Sequence, residues 1–170
     1  MRHILTLAAV ALLTTACEQQ RAPDPALAAL VDRQAIDQLV AGTYPRALDS
    51  RNWEAYADTY TDDGELSLLG QSGKGRQGII GMVSALPQDN RVIHVISNLS
   101  YEIKGDTATG GAYWQDVGMS GNAPAVVAAG HYDDTLRKVN GAWWFAKREI
   151  AVDFIPAAAA APPAAASSSQ

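Results

Sequence analysis

The sequence predicts an α+β domain in which a curved antiparallel sheet wraps around a long N-terminal helix. Three observations carry that expectation. Apolar residues recur at three- and four-residue spacing over residues 27–48. From Arg91 onward the chain switches to long alternating runs. Those runs are joined by short turn signals, Gly105-Asp106 and Asn140-Gly141. Helices first and hairpin-linked strands after them make a layered α+β arrangement. A bent sheet closing over a helix encloses a pocket at its open end.

In chain order, Arg2 and His3 make a polar start, Ile4 to Leu13 is an apolar run of ten, and Thr14, Thr15 and Ala16 are small. The run is short of the roughly 20 residues a spanning helix needs, so residues 1–16 read as a secretory signal. Cys17 is the chain's only cysteine. Residues 17–25 read as a tether, 26–155 as the folded domain, and 156–170 as an Ala/Pro/Ser tail with too little apolar surface to offset its ordering entropy.

The first helix carries Leu27, Leu30, Val31, Ala35, Ile36, Leu39, Val40, Tyr44 and Ala47 on its apolar stripe, with Pro45 expected to kink it or end its regular part. A turn over residues 49–52 leads to a second helix reaching about Tyr60, capped by Asn52 and ended by Asp62-Asp63-Gly64. Glu65 to Leu69 reads as a short strand, Gln71 to Gly75 as a mobile glycine-rich loop, and Gln77 to Leu86 as a third helix. Four long strands follow: 91–104, with Ile93, Val95, Leu99, Tyr101 and Ile103 on one face, then 107–117, 125–139 and 142–153. A loop is expected over Met119 to Pro124.

Charge excludes some functions. Without residues 1–16 the chain has 12 basic and 18 acidic side chains, a net of −6, and no basic cluster. That argues against nucleic acid as a partner and against a polybasic membrane patch. Any membrane link would run through a lipid on the cysteine.

Several stretches together resemble the SnoaL-like proteins of the nuclear transport factor 2-like superfamily, with their cone-shaped fold. They are Asp32-Arg33-Gln34-Ala35-Ile36, Ala47 through Trp53, Tyr60-Thr61-Asp62-Asp63, Ile93 through Asn98, Gly105 through Ala108, Gly130 through Leu136, and Gly141 through Arg148. Their order and spacing across residues 30–153 carry the resemblance. The start of the chain resembles a bacterial lipoprotein signal at Ala16 and Cys17, departing from it at Thr14. That resemblance implies lipidation of Cys17 and a periplasm-facing place in the cell envelope.

The catalytic relatives this chain is most similar to are the hexachlorocyclohexane dehydrochlorinase and scytalone dehydratase families, cofactor-free lyases with a histidine base. Asp49 and His94 match the dehydrochlorinase family's acid–histidine positions, and Arg148 matches its basic residue on the last strand. The ketosteroid isomerase base would fall at Leu68 and is absent. The dehydratase pattern is incomplete, with Thr43 in place of its aspartate and His131 displaced from its second histidine.

The chemistry fits such a pair. An imidazole takes a proton from carbon near neutral pH, a carboxylate on its other nitrogen fixes the tautomer, and a guanidinium stabilises a departing anion. No metal or organic cofactor is required. Alternatives stand beside each role. Asp49 can instead cap a helix, His94 can face solvent, and Arg148 can pair with Asp133, Asp134 or Glu149. Tyr44, Trp53, Trp114 and His131 are candidate ligand-binding residues, or core and edge packing. The sequence thus points to a small apolar organic ligand, with elimination or dehydration as the reaction. The alternative is a non-catalytic binding or dimerisation module, and the apolar sheet face suggests a homodimer.

Overall fold

The computed structural model describes residues 24–87 and 91–156. The signal segment, Cys17 with its expected lipidation, and the tail after Pro156 lie outside the described residues.

Helix α1 (Pro25–Gln38) opens with Asp24, whose side chain accepts the Ala26 N–H, and with Pro25 in its first turn. It runs into one wide π-helical turn (Leu39–Thr43) and then α2 (Tyr44–Asp49). Pro45 lacks an N–H and would crowd the carbonyl one turn back. The wide turn relieves this, so the kink expected at Pro45 takes the form of an extra residue in the turn preceding it. Ile36, Val40 and Tyr44 are fully buried, whereas Leu27, Leu30 and Val31 are more than half exposed. The first part of the expected apolar stripe therefore stays outside the core.

Asn52 caps α3 (Trp53–Ala57) through the Ala55 N–H at 3.0 Å. Asp62-Asp63-Gly64 does not end a helix, as expected from the sequence, but lies inside strand β1 (Tyr60–Leu68). The pairing slips there, between Tyr60↔Phe145 and Glu65↔Lys147, so the turn-forming triplet forms a bulge. Leu69 and Gly70 both have positive φ, which suits a tight two-residue hairpin turn. The glycine-rich stretch expected to be a loop thus becomes strand β2 (Gln71–Lys74), followed by α4 (Gly75–Ser84).

Strands β3 (Ile93–Lys104), β4 (Thr107–Ser120), β5 (Ala123–Val139) and β6 (Ala142–Phe154) complete one six-stranded sheet in the order β2-β1-β6-β5-β4-β3. All pairings are antiparallel except β1 with β6, which is parallel. The loop expected over Met119–Pro124 shrinks to a turn at Gly121-Asn122. Register slips in β4–β5 and β5–β6 bend the sheet around the helix.

One bulge has a functional effect. Between Ser97↔Tyr113 and Ser100↔Gly111, β3 carries two residues opposite one, and Asn98 takes a positive φ. The inward face changes parity there. His94 and Ile96 point in before the bulge; Leu99, Tyr101 and Ile103 point in after it, while Ile93 and Val95 are exposed. The single apolar face expected from the sequence is divided between the two sides of the sheet.

Helix side chains fasten β3, an edge strand. The Arg33 guanidinium donates to the Tyr101 carbonyl at 2.6 Å, and Asp49 accepts the His94 backbone N–H at 3.2 Å. Next to Arg33, Asp32 accepts from Lys138 Nζ at 2.7 Å and Trp143 Nε1 at 3.0 Å, which ties the helix to the β5–β6 hairpin.

Candidate functional site

Between α2, α3, α4 and the concave side of the sheet lies a cavity of about 360 Å³. Leu66, Val83, Trp114 and Ile150 give it mainly apolar walls, and Asp49, His94 and Asp116 stand together on its lining. Tyr44, Trp53 and Trp114, expected from the sequence to bind ligand, all line it. Trp114 reaches its place because β5 has glycine beside it: a Cβ on Gly130 would stand 2.8 Å from the Trp114 ring and 1.9 Å from the Ala151 carbonyl oxygen.

Asp49 closes α2 and meets the start of β3. His94 Nδ1 lies 2.6 Å from Asp49 Oδ1, which also accepts the His94 backbone N–H. A carboxylate only accepts, so the ring proton sits on Nδ1 and Nε2 carries the lone pair. The side chains of His94 and Asp49 are 14% and 28% exposed, sheltered but open to the cavity. Asp49 is thus bound to the histidine, while Asn52 caps the following helix.

A third member of the group was not anticipated from the sequence. Asp116 lies directly across from His94 in the β3–β4 pairing, and its Oδ1 is 3.2 Å from His94 Nε2. No hydrogen bond joins the two, and this buried oxygen has no hydrogen-bond partner among the described residues. Burial pushes the Asp116 pKa up; the neighbouring His94 opposes this and Asp49 adds to it. The sequence did hold a signal: Asp116 continues the inward alternation of Ala112 and Trp114.

The raised Asp116 pKa fixes the sign of a stability effect. The native state holds this proton more tightly than the unfolded chain, so stability falls as pH rises from the unfolded value through the folded one. Asp116→Asn removes that loss. We expect the variant to be more stable than wild type at pH 7, with the gain vanishing below the unfolded value. Urea midpoints from pH 3 to 7 check this, and a variant less stable at pH 7 contradicts it.

Tyr56 donates to Tyr44 across 3.1 Å, and both line the cavity with Tyr132. Burial pushes the phenol pKa values of Tyr56 and Tyr132 well up, which keeps both as hydrogen-bond donors.

Two expected site residues lie elsewhere. Arg148 is fully buried and does not line the cavity. Its Nε and Nη2 donate to Asp134 Oδ1 and Oδ2 at 2.8 and 2.6 Å, and Tyr101 donates to Oδ2 at 2.6 Å. The Tyr44, Tyr132 and Phe145 ring centroids lie 4.1, 3.9 and 4.0 Å from its guanidinium carbon. Two of those rings, Tyr44 and Tyr132, stand between it and the cavity they line, and its Nη1 has no hydrogen-bond partner among the described residues. His131 is cross-paired with the exposed Tyr113 on the outer side of the sheet, and its Nδ1 pairs with Asp153 at 2.7 Å. The hydrogen bond to Asp153 raises the His131 pKa.

Among the described residues, no group of three or more His, Cys, Asp or Glu is arranged to hold a metal ion.

Comparison with known proteins identifies the family of this cone-shaped domain. Residues 28–149 match the model of the SnoaL-like domain, and the chain belongs to that family. Hexachlorocyclohexane dehydrochlorinase LinA-type3 from Novosphingobium barchaimii LL02 is 25% identical, with a TM-score of 0.67 over 77% of this chain and 92% of that one. A protein of unknown function with a cystatin-like fold from Nostoc punctiforme PCC 73102 is 27% identical, with a TM-score of 0.65 over 72% and 92%. A single-residue variant of a function-unknown protein from Mycobacterium tuberculosis shares the fold, at 24% identity and a TM-score of 0.71 over 82% of each chain. None of the curated proteins matches the sequence.

Proposed function

We propose that this protein binds a small, largely apolar organic molecule in its cavity and acts on it as a cofactor-independent lyase. His94 is the base and Asp49 the partner that holds its tautomer. The observation that carries this reading is the 2.6 Å contact between Nδ1 and Asp49 Oδ1 at the wall of an apolar cavity. It leaves Nε2 as the basic atom. Similarity to a dehydrochlorinase, whose named reaction is the loss of hydrogen chloride, supports elimination as the reaction class. Thermal-shift screening of apolar ring compounds, followed by turnover assays on those that bind, tests it. We expect His94→Ala to keep ligand-dependent stabilisation and lose turnover. Turnover that survives the substitution rejects the role of His94.

The exposed Ile93, Val95 and Tyr113 on the convex side of the sheet support a homodimer through that face. Sedimentation at tens of micromolar is expected to give a dimer that Val95→Glu dissociates. A monomeric wild type removes the proposal.

A further inference from the structure

We propose that the molecule held in the cavity is an apolar carboxylic acid in its anionic form, with its carboxylate bound at the cavity mouth by Arg51 and Arg91. This rests on the reading of the cavity as a small-molecule site, and not on the role of His94 as a base.

The backbone at the end of α2 is unusual. The Arg51 N–H donates to the Leu48 carbonyl at 2.9 Å, and the Asn52 N–H to the Ala47 carbonyl at 3.0 Å. This crossed pair is a helix ending whose left-handed position glycine normally fills. Arg51 holds that position instead, at a φ of 55°. A side chain kept at a backbone cost, where glycine fits best, points to a task for that side chain. Arg51 is half-buried and lines the cavity.

A second arginine comes from the facing segment. The end of α2 and the start of β3 abut where Asp49 meets His94 at 2.6 Å. Arg51 lies two residues beyond that contact on one segment, and Arg91 three residues before it on the other. Arg91 also lines the cavity and is exposed. Exposure locates the opening. Leu69 and Ile155 are 76% and 55% exposed, whereas Leu66 and Tyr132 form part of the closed interior.

An apolar interior with arginines toward the opening suits an amphipathic acid. Its hydrocarbon body would lie against Leu66, Val83 and Ile150, and its charge would stay near water. Arginine presents a planar fork of N–H donors that matches a carboxylate in two bonds. Charge sets a limit on the anion. Asp49 and Asp116 line the same cavity, so a singly charged carboxylate is balanced by the two arginines, while a doubly charged phosphate ester is opposed. Burial also holds the Asp116 pKa above its ordinary value, which lessens the negative charge that an incoming acid meets.

Calorimetric titration at about pH 7.5, where the acids are ionised, tests this with three acid–amide pairs. They are 4-phenylbutanoate, 4-cyclohexylbutanoate and 2-naphthylacetate, each against its neutral primary amide. The wild type is expected to bind at least one acid about tenfold or more tighter than its amide. That preference is expected to shrink as sodium chloride rises from about 50 to about 500 mM. Arg51→Gly supplies the residue this backbone favours, so the fold is expected to survive. It and Arg91→Gln are each expected to cut the preference by about threefold or more, and the double variant to abolish it, with amide affinity held within about twofold. A wild type that binds amides as tightly as acids, or a preference that survives in the double variant, overturns the carboxylate assignment and leaves the cavity reading intact. Equal loss of acid and amide binding in Arg51→Gly overturns the role of Arg51. A wild type that binds neither series overturns the cavity reading, and this inference with it.

Discussion

Arg148→Met is expected to cost about 3–5 kcal/mol of folding stability. The wild-type guanidinium has no access to water, two of its nitrogens reach Asp134, and three aromatic rings enclose it. Burial pulls its pKa down, but Asp134, through charge and hydrogen bonds, outweighs that and holds it well above the ordinary value. Methionine fills much of the volume yet leaves the Asp134 carboxylate buried with Tyr101 as its remaining side-chain donor among the described residues. Arg148→Lys is not expected to rescue, because an ammonium cannot reproduce the two-pronged contact or lie flat among the rings. The triple variant Arg148→Met, Asp134→Leu, Tyr101→Phe is expected to recover most of the loss, since it removes the buried charge instead of stranding it. Guanidinium denaturation midpoints decide this; a loss below about 1 kcal/mol for Arg148→Met would contradict a closed ion pair.

Asp49→Asn is expected to lower turnover by about 10²- to 10⁴-fold on any substrate the protein accepts, while costing little stability. Asparagine keeps the size and can still accept the backbone N–H of His94. Its amide can also donate to Nδ1, which moves the ring proton to Nε2, the atom that must be free to take a proton. A fall in kcat with a nearly unchanged KM, together with an altered Nδ1/Nε2 proton assignment by ¹⁵N NMR, checks the cause. Unchanged kcat removes Asp49 from the mechanism.

The sequence revealed some of this site and hid the rest for identifiable reasons. The order of elements was legible because periodicity is local: Ile36, Val40 and Tyr44 mark one helix face, and the long alternating runs mark β3 to β6. Asp49 and His94 were legible through family resemblance, although 45 residues separate them. Asp116 was missed: the alternation of its own strand turns it inward, but its place beside His94 comes from cross-strand register, which one strand's pattern does not contain. Asn98 misled in the same way. A single left-handed residue reverses the facing of every side chain beyond it, and an unbroken alternation over residues 93–103 conceals that. Arg148 shows the opposite failure. A charged residue on a strand was given a task in the cavity, yet the chain uses it as the centre of the aromatic core.

The fastening of β3 has a consequence for how copies of this protein meet. An outermost strand ordinarily presents a row of bare amides and carbonyls that a second molecule can zip onto, the first step toward fibres. Here a carboxylate from α2 occupies one such amide and a guanidinium from α1 one such carbonyl. The carboxylate that meets the imidazole therefore also helps deny a docking rail to foreign backbone, and severing both ties would invite polymerisation.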